Sequence, residues 1–398
     1  MIGDTHLGRG RGPGTRQTVD MASVQFVTWE GGGNLPPTLG IAQELHIRGH
    51  AVQIIGEESQ RSAVESRGLP LTTWSHPLST SQMERSAGER LTYLINEVWM
   101  NTDLADEVIA MLARQPAEVV VVDCMLEGVL GRSQEISAPT VVLVHGLFRS
   151  VLPMRDSLIA FGNQLRAGAG LPVLDASKLA WERKDLVMVT TLREFDGVDD
   201  ELASNIRYVG PVLPKKDPAE GWPSPWEPTD PRPLVLVSLS TMPGQASSAR
   251  AQQVLDALAD KAIRVVMTTG AFPPETLSPP GNAAVFGVVP HSAILPEAAV
   301  MVTHGGHGSV MGALAHGVPL VCIPGVGADQ PIVGERIVAV GAGKLVAPDA
   351  VGELGDAVAQ VLSNPTYRAA ARHMAALIEG LDGATGGALG VESVLAHS

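Results

Sequence analysis

Cysteine is nearly absent from this chain: two residues in 398, Cys124 and Cys322. They stand far apart inside apolar runs, so no disulfide framework is available. Both read as small buried hydrophobes suited to a reducing compartment, and the expected location is cytoplasmic. Long apolar stretches are missing too. None approaches the ~18 residues of a membrane span, so no stable membrane insertion is expected. Residues 1–20 carry Gly, Arg and Thr without the apolar core of a secretion signal, and read as a disordered extension before a folded part starting at Met21. Positive charge is scarce, with 28 Lys and Arg against 42 Asp and Glu and a net charge of −14. That balance argues against nucleic acid and anionic membrane as main partners. Familiar phosphate and metal motifs are lacking as well. There is no G-x-x-x-x-G-K-S/T, which excludes a Walker loop. No G-x-G-x-x-G follows the first strand-like run, which weakens a dehydrogenase reading. No D-x-D is present, which fits chemistry without a metal.

What the chain has is apolar residues, 45% of the total, in short β-branched runs that alternate with helical patterns. Strands are expected over 24–28, 51–55, 118–123, 140–145 and 186–190, and a helix over 37–49 with Leu39, Ile41, Leu45 and Ile47 on its apolar side. β-Branched residues on both strand faces indicate a parallel sheet covered by helices on both sides. The proline-rich segment 215–233 has neither pattern and reads as a linker. Alternation then restarts at 234–238, 263–268, 299–303 and 320–323, with a helix around 249–261. The expected fold class is therefore α/β: two tandem Rossmann-like doubly wound domains facing a cleft, over 21–214 and 234–380, with a C-terminal helix in 381–398 packing back toward the first. Aromatics are only 4% of the chain, yet 71–112 and 148–183 gather Trp74, Met83, Tyr93, Trp99, Met100, Met154, Phe161 and Trp181. Helix packing accounts for them, or a greasy pocket for a bulky apolar ligand.

Two glycine turns carry the chemistry. The first is WEGGGNLPP, Trp29 to Pro37, where a first strand should turn into a first helix with Asn34 as its N-cap before two prolines. The second is HGGHGS. A buried strand should end at His304, a turn follow, and Ser309 start the helix 310–316. Free N–H groups and the dipole at such a helix start favour an anion, and Ser309, His304 and His307 can donate further hydrogen bonds. Zinc between the two histidines is not favoured, because no further ligand residue stands near them. No metal and no cofactor beyond a co-substrate is expected.

HGGHGS…GVPLVCIP…ADQ…ER resembles the donor-binding signature of nucleotide-sugar-dependent glycosyltransferases of the GT-B fold. The nearest group is the bacterial natural-product, macrolide and antibiotic enzymes, related to plant small-molecule glucosyltransferases. VVPHSAILPEAAVMVTH and VSLSTMP are similar to further segments of that family, so the resemblance covers nearly all of 21–398. It implies that His304 and Ser309, with the backbone of Gly306, His307 and Gly308, hold the diphosphate. Thr241 would contact the phosphate or acceptor side, and Asp329 and Gln330 the donor-sugar hydroxyls. Val288 stands where the family has a base-stacking Trp, and His291 where it has Gln, leaving pyrimidine recognition to Val289 backbone groups and Val288 packing. Gly312 stands where enzymes using uridine diphosphate sugars often carry a ribose-binding Glu. That favours a thymidine-diphosphate deoxysugar, unless Gly312 only relieves helix packing.

The resemblance further implies an inverting transfer to a hydrophobic natural-product aglycone, without metal. An alcohol acceptor needs a general base. The family's base is a His at the position of Asn34, and its partner Asp matches Asp123. An amide does not titrate, so the orienting carboxylate is kept and the imidazole lost. Asp123, Glu30 and His145 are the candidate replacements. Alternatively the acceptor is a phenol, an electron-rich carbon or a nitrogen that needs little help, with Asn34 holding substrate through its amide. A nucleotide-sugar epimerase of the same fold and a catalytically silent partner of another glycosyltransferase are the rival functions. The sequence leaves a homodimer open.

Overall fold

The computed structural model describes residues 21–76, 87–173, 184–198, 202–214, 221–240, 247–270, 272–325 and 329–397. The β-branched runs assemble into two parallel sheets. The first is seven-stranded, in the order β3-β2-β1-β4-β5-β6-β7. Its strands are β1 (Ser23–Val27), β2 (Ala51–Gly56), β3 (Leu71–Thr73), β4 (Val119–Asp123), β5 (Thr140–Val144), β6 (Leu186–Val189) and β7 (Ile206–Tyr208). The second has six strands in the order β10-β9-β8-β11-β12-β13. These are β8 (Leu234–Ser238), β9 (Arg264–Thr268), β10 (Ala283–Phe286), β11 (Ala298–Thr303), β12 (Leu320–Cys322) and β13 (Gly343–Leu345). The central strands β4, β5, β8 and β12 are buried along their whole length, and β1 in all but its first residue, as expected of strands covered on both faces. In each sheet the chain order reverses beside the first strand, between β1 and β4 and between β8 and β11. Ligands of such sheets bind outside the strands' carboxyl ends at that reversal. Thr28 and Asp123 mark it in the first sheet, Ser238 and His304 in the second.

Four edge strands, β3, β7, β10 and β13, were not expected. Each has three or four residues. The first helix runs Leu35–Ile47, starting before the expected 37 with both prolines in its first turn. Ile47 is 67% exposed and drops out of the expected apolar side, while Leu39, Ile41 and Leu45 are buried. The helix after the second glycine turn runs His307–Ala315 with Gly306 at its N-cap, so Ser309 is its third residue and not its start.

Each sheet buries apolar clusters on its two faces. One cluster of the second sheet also takes in Leu147, Leu192 and Phe195 from the first half of the chain, so a shared core joins the halves. Arg336, in the helix Gln330–Ala339, reinforces the joint by donating from Nε to the Phe195 carbonyl at 2.8 Å. The C-terminal helix Gly383–Leu395 lies on the first helix and β6. Its approach depends on Gly387, where a Cβ would sit 2.6 Å from the Ile41 side chain. Glu392 fixes it with two 2.7 Å bonds from Arg48 and a 3.2 Å contact to His50. No helix among the described residues is long and apolar enough to cross a membrane.

Candidate active site

Asp123 ends β4 with its side chain fully buried, and donors meet both of its oxygens. Oδ1 accepts from the Trp29 indole at 3.2 Å and the Met125 amide at 2.9 Å. Oδ2 accepts from the Asn34 amide at 3.0 Å and lies 3.2 Å from His145 Nδ1. A carboxylate offers about four acceptor positions, and all are engaged. Burial alone would push the Asp123 carboxyl up. The His145 charge, its hydrogen bond and the Met125 and Asn34 donors outweigh burial and hold it below its ordinary value. The expectation that Asp123 itself could be the base meets this geometry badly, since a sealed, saturated carboxylate has no lone pair for a substrate.

Asn34 occupies the N-cap position, but its side chain makes no capping bond, so the expected cap is corrected. Its Oδ1 accepts from the Gly31 amide at 3.0 Å, and its Nδ2 also donates to the Trp29 carbonyl at 2.9 Å and to Thr28 Oγ1 at 3.3 Å. The side chain is 1% exposed and knots the WEGGGN turn to Asp123. The turn needs glycine at 31, where a Cβ would stand 2.6 Å from the Trp29 ring.

His145 follows β5, which is hydrogen-bonded beside β4. Its side chain is 23% exposed. Burial pulls the imidazole down, but the Asp123 charge first, then Cys124 and the Asp123 hydrogen bond, raise it well above 6.5. Asp123 accepts a hydrogen bond from Nδ1–H, so the neutral ring carries its lone pair on Nε2. Cys124 Sγ lies 3.9 Å from the same Nδ1.

Glu30 folds back on its own turn, with Oε1 accepting the Gly32 amide at 3.1 Å, and burial raises its carboxyl. It is thus half-buried and not a freely solvated loop carboxylate. Sequence reasoning missed Glu57, which follows β2 at the same sheet end. It accepts the Glu30 amide at 2.7 Å, and burial first, then the Glu30 charge, push it to about 7 against the lowering effect of that bond. Its signal was its place just past a strand's carboxyl end.

The second glycine turn supplies the facing half. Gly305 has φ 92°, and a Cβ there would meet the Gln330 carbonyl at 2.8 Å. His304 donates from Nδ1 to the Ser238 carbonyl at 3.4 Å, and burial lowers it to about 4, so it is neutral. Gly306, His307, Gly308 and Ser309 form the open helix start, with no side-chain cap. His307 departs from expectation. Its Nε2 lies 2.9 Å from Thr191 Oγ1, just past β6 of the first sheet, and that hydroxyl points on to Met311 Sδ at 3.7 Å. Burial and the His145 charge hold His307 at about 4. It ties the two halves together and brings no positive charge.

Asp329 stands at the N-cap of the helix Gln330–Ala339 without a side-chain cap bond, its carboxyl raised by burial against a smaller opposing effect of the His145 charge. Gln330 is buried, its Oε1 under Gly325. His145 is thus electrostatically coupled to Asp329 and His307 across the cleft. Val288 is 82% exposed, Val289 half-buried, and His291 Nε2 is held 3.0 Å from Thr268 Oγ1. Around Gly312 the nearest atom to an added Cβ is Leu295 Cδ1 at 3.8 Å, so packing does not demand glycine there. Thr241, Met83 and Trp181 lie outside the described residues. Trp29, Trp74 and Trp99 join one apolar cluster on the first sheet, with Trp29 and Trp99 edge to face at 5.4 Å.

Known proteins agree with this architecture. Residues 252–379 match the family model of the erythromycin biosynthesis protein CIII-like C-terminal domain. The chain is 28% identical to 4'-demethylrebeccamycin synthase of Lentzea aerocolonigenes, across 87% of this chain and 93% of that protein. It is 26% identical to demethyllactenocin mycarosyltransferase of Streptomyces fradiae, across 80% and 75%. Among solved structures, the calicheamicin glycosyltransferase CalG4 superposes with a TM-score of 0.76 at 22% identity, over 95% of this chain and 99% of that one. The chain is thus similar along most of its length to antibiotic-biosynthesis glycosyltransferases, has the GT-B fold, and over 252–379 resembles the EryCIII-like C-terminal domain.

Proposed function

We propose that the protein transfers a sugar, with inversion and without metal, from a pyrimidine nucleoside diphosphate to a hydrophobic natural-product aglycone, using His145 as the general base. The observation that carries this reading is the 3.2 Å approach of His145 Nδ1 to Asp123 Oδ2. It rebuilds, from a neighbouring strand, the carboxylate–imidazole pair that Asn34 removes from the first helix. The acceptor proton passes to His145 Nε2 while the acceptor oxygen forms its bond to the anomeric carbon. The bond from that carbon to the diphosphate oxygen breaks on the opposite face, so configuration inverts. The leaving diphosphate collects its charge at the start of the helix His307–Ala315, where free N–H groups and Ser309 face it. Asp329 and Gln330 are assigned to the donor-sugar hydroxyls. Thymidine diphosphate is favoured over uridine diphosphate because Gly312 offers no carboxylate to a ribose 2′-hydroxyl, and the space around it shows no packing reason for the glycine.

The test is a screen of thymidine- and uridine-diphosphate sugars against apolar alcohol and phenol acceptors, with product stereochemistry read by NMR. Turnover that survives His145→Ala at full rate removes the base assignment. Binding or hydrolysis of no pyrimidine-nucleotide sugar at all overturns the function.

A further inference from the structure

The mechanism leaves one nucleophile at its centre unused. Cys124 follows Asp123 directly, is 7% exposed, and presents Sγ to the nitrogen that Asp123 engages. We propose that Asp123 Oδ2, Cys124 Sγ and His145 Nδ1 form a three-ligand site for a zinc-like divalent transition metal ion, and that its occupancy arrests glycosyl transfer. This rests on the reading of His145 as the base only for its second half; the metal site stands on geometry alone.

The three ligand atoms lie within 4.8 Å of one another, the only such trio of His, Cys, Asp and Glu among the described residues. Tetrahedral zinc bonds of ~2.0–2.3 Å place neighbouring ligand atoms about 3.3–3.6 Å apart. The oxygen-to-nitrogen separation is 3.2 Å and the sulfur-to-nitrogen separation 3.9 Å, while sulfur and oxygen lie within 4.8 Å of each other. Closing the trio on an ion asks the side chains to move by up to about an ångström. The donor set of thiolate, imidazole and carboxylate suits zinc or cobalt and not magnesium or calcium. The orienting partners exist already: the Trp29 indole and Met125 amide fix Oδ1, and the Asn34 amide steadies Oδ2. The ion displaces the Nδ1 proton and so takes the one position on Oδ2 that His145 fills in its absence. His145, with its side chain 23% exposed, gives the trio its opening to solvent, through which a water would complete the coordination.

Arrest follows from the tautomer. A metal on Nδ1 takes the lone pair there, and the ring proton moves to Nε2, the nitrogen that must be bare to act as a base. The Cys124 thiol gives up one proton to solvent on binding. Nothing is oxidised or reduced.

The experiment is titration of the full-length protein with Co2+, read by the thiolate-to-cobalt charge-transfer band in the near ultraviolet. The band should appear in the wild type, vanish in Cys124→Ala and Cys124→Ser, and persist in Cys322→Ala, with circular dichroism verifying that each variant is folded. A wild type without the band, or a folded Cys124 variant that retains it, overturns the site. In the activity arm, Zn2+ should suppress wild-type turnover at least tenfold, reversibly with chelator, while Cys124→Ala turns over and resists zinc. Metal bound with turnover intact overturns the arrest. If no donor and acceptor pair turns over, the functional reading fails, and the cobalt band still decides the metal site.

Discussion

Asn34 and His145 share one oxygen of Asp123, the amide donating to Oδ2 at 3.0 Å and the imidazole nitrogen standing 3.2 Å from it. Asn34 thus helps to hold the same carboxylate that His145 meets. Both groups reach Asp123 because β1, β4 and β5 lie side by side, so their carboxyl ends open onto one point of the cleft.

His145→Ala should lower kcat by about 10²–10⁴, the usual contribution of a positioned base. KM for the nucleotide sugar should change little, because a base at His145 would act on the acceptor proton and not on the diphosphate. Initial rates at saturating donor check this, and His145→Gln separates loss of basicity from loss of volume.

The pH dependence follows from the raised His145 pKa. Transfer needs the neutral ring, so the rate should climb with rising pH through a value above 6.5 and then level off. Asp123→Asn removes the carboxylate charge that lifts the imidazole. The acid limb should then move to lower pH while the plateau falls by ~10²-fold or more, because the ring loses its fixed tautomer. A profile of kcat/KM between pH 5 and 9 reads both effects. An unmoved limb in Asp123→Asn would break the link between the two residues.

Asn34→His, the substitution that restores the family's residue, should not improve the enzyme. Position 34 is 1% exposed, and its amide satisfies the Gly31 N–H, the Trp29 carbonyl and Asp123 together. An imidazole must compete with His145 for Oδ2, and the added volume should cost about 1–3 kcal/mol of stability. The expected result is a lower Tm and no gain in kcat. A rise in turnover would overturn the assignment of the base to His145.

How far this site could be read without coordinates depends on distance along the chain. The buried β-branched strands and the HGGHGS turn announce themselves locally, through runs of Val and through glycines before a helix. Strands β3, β7, β10 and β13 do not, because three or four half-buried edge residues carry no periodicity. Glu30 and His145 looked alike as candidate bases. Only strand order separates them, since it sets β5 against β4 and sends Glu30 back onto the Gly32 amide. The role of His307 was hidden for the same reason: Thr191 is remote in sequence and meets it only when the domains pack. Asn34 reads as a cap by local rules, and tertiary acceptors override that preference.

Glu127, at the start of the short helix that follows β4, offers a stability prediction. It is buried, its Oε2 has no hydrogen-bond partner among the described residues, and burial raises its carboxyl from 4.5 to about 8, against the lowering effect of the Lys184 charge. The folded state therefore binds the proton more tightly than the unfolded chain. The stability linked to that proton is complete below about 4.5 and is lost as pH rises toward 8, at a slope of up to ~1.4 kcal/mol per pH unit. Glu127→Gln should flatten the decline, measured by urea unfolding at pH 6 and pH 8. Parallel declines in both proteins would remove Glu127 as the source.

Gly312→Glu tests donor choice. An added Cβ meets nothing closer than Leu295 Cδ1 at 3.8 Å, so the second turn of the helix His307–Ala315 has room for a side chain to start there. Its carboxylate would reach the ribose side and accept from a 2′-hydroxyl, which uridine diphosphate carries and thymidine diphosphate lacks. One hydrogen bond to a charged group contributes about 1.5–3 kcal/mol, or roughly ten- to a hundredfold in affinity. Calorimetric titration of both diphosphates should show the wild type favouring thymidine diphosphate and the variant shifting toward uridine diphosphate by about that factor. Because Asp123 and His145 stand across the cleft, kcat on a donor that both proteins accept should stay within a few fold. A variant that folds and keeps the wild-type preference would place nucleotide selection elsewhere, with Val288 and the Val289 backbone next in line.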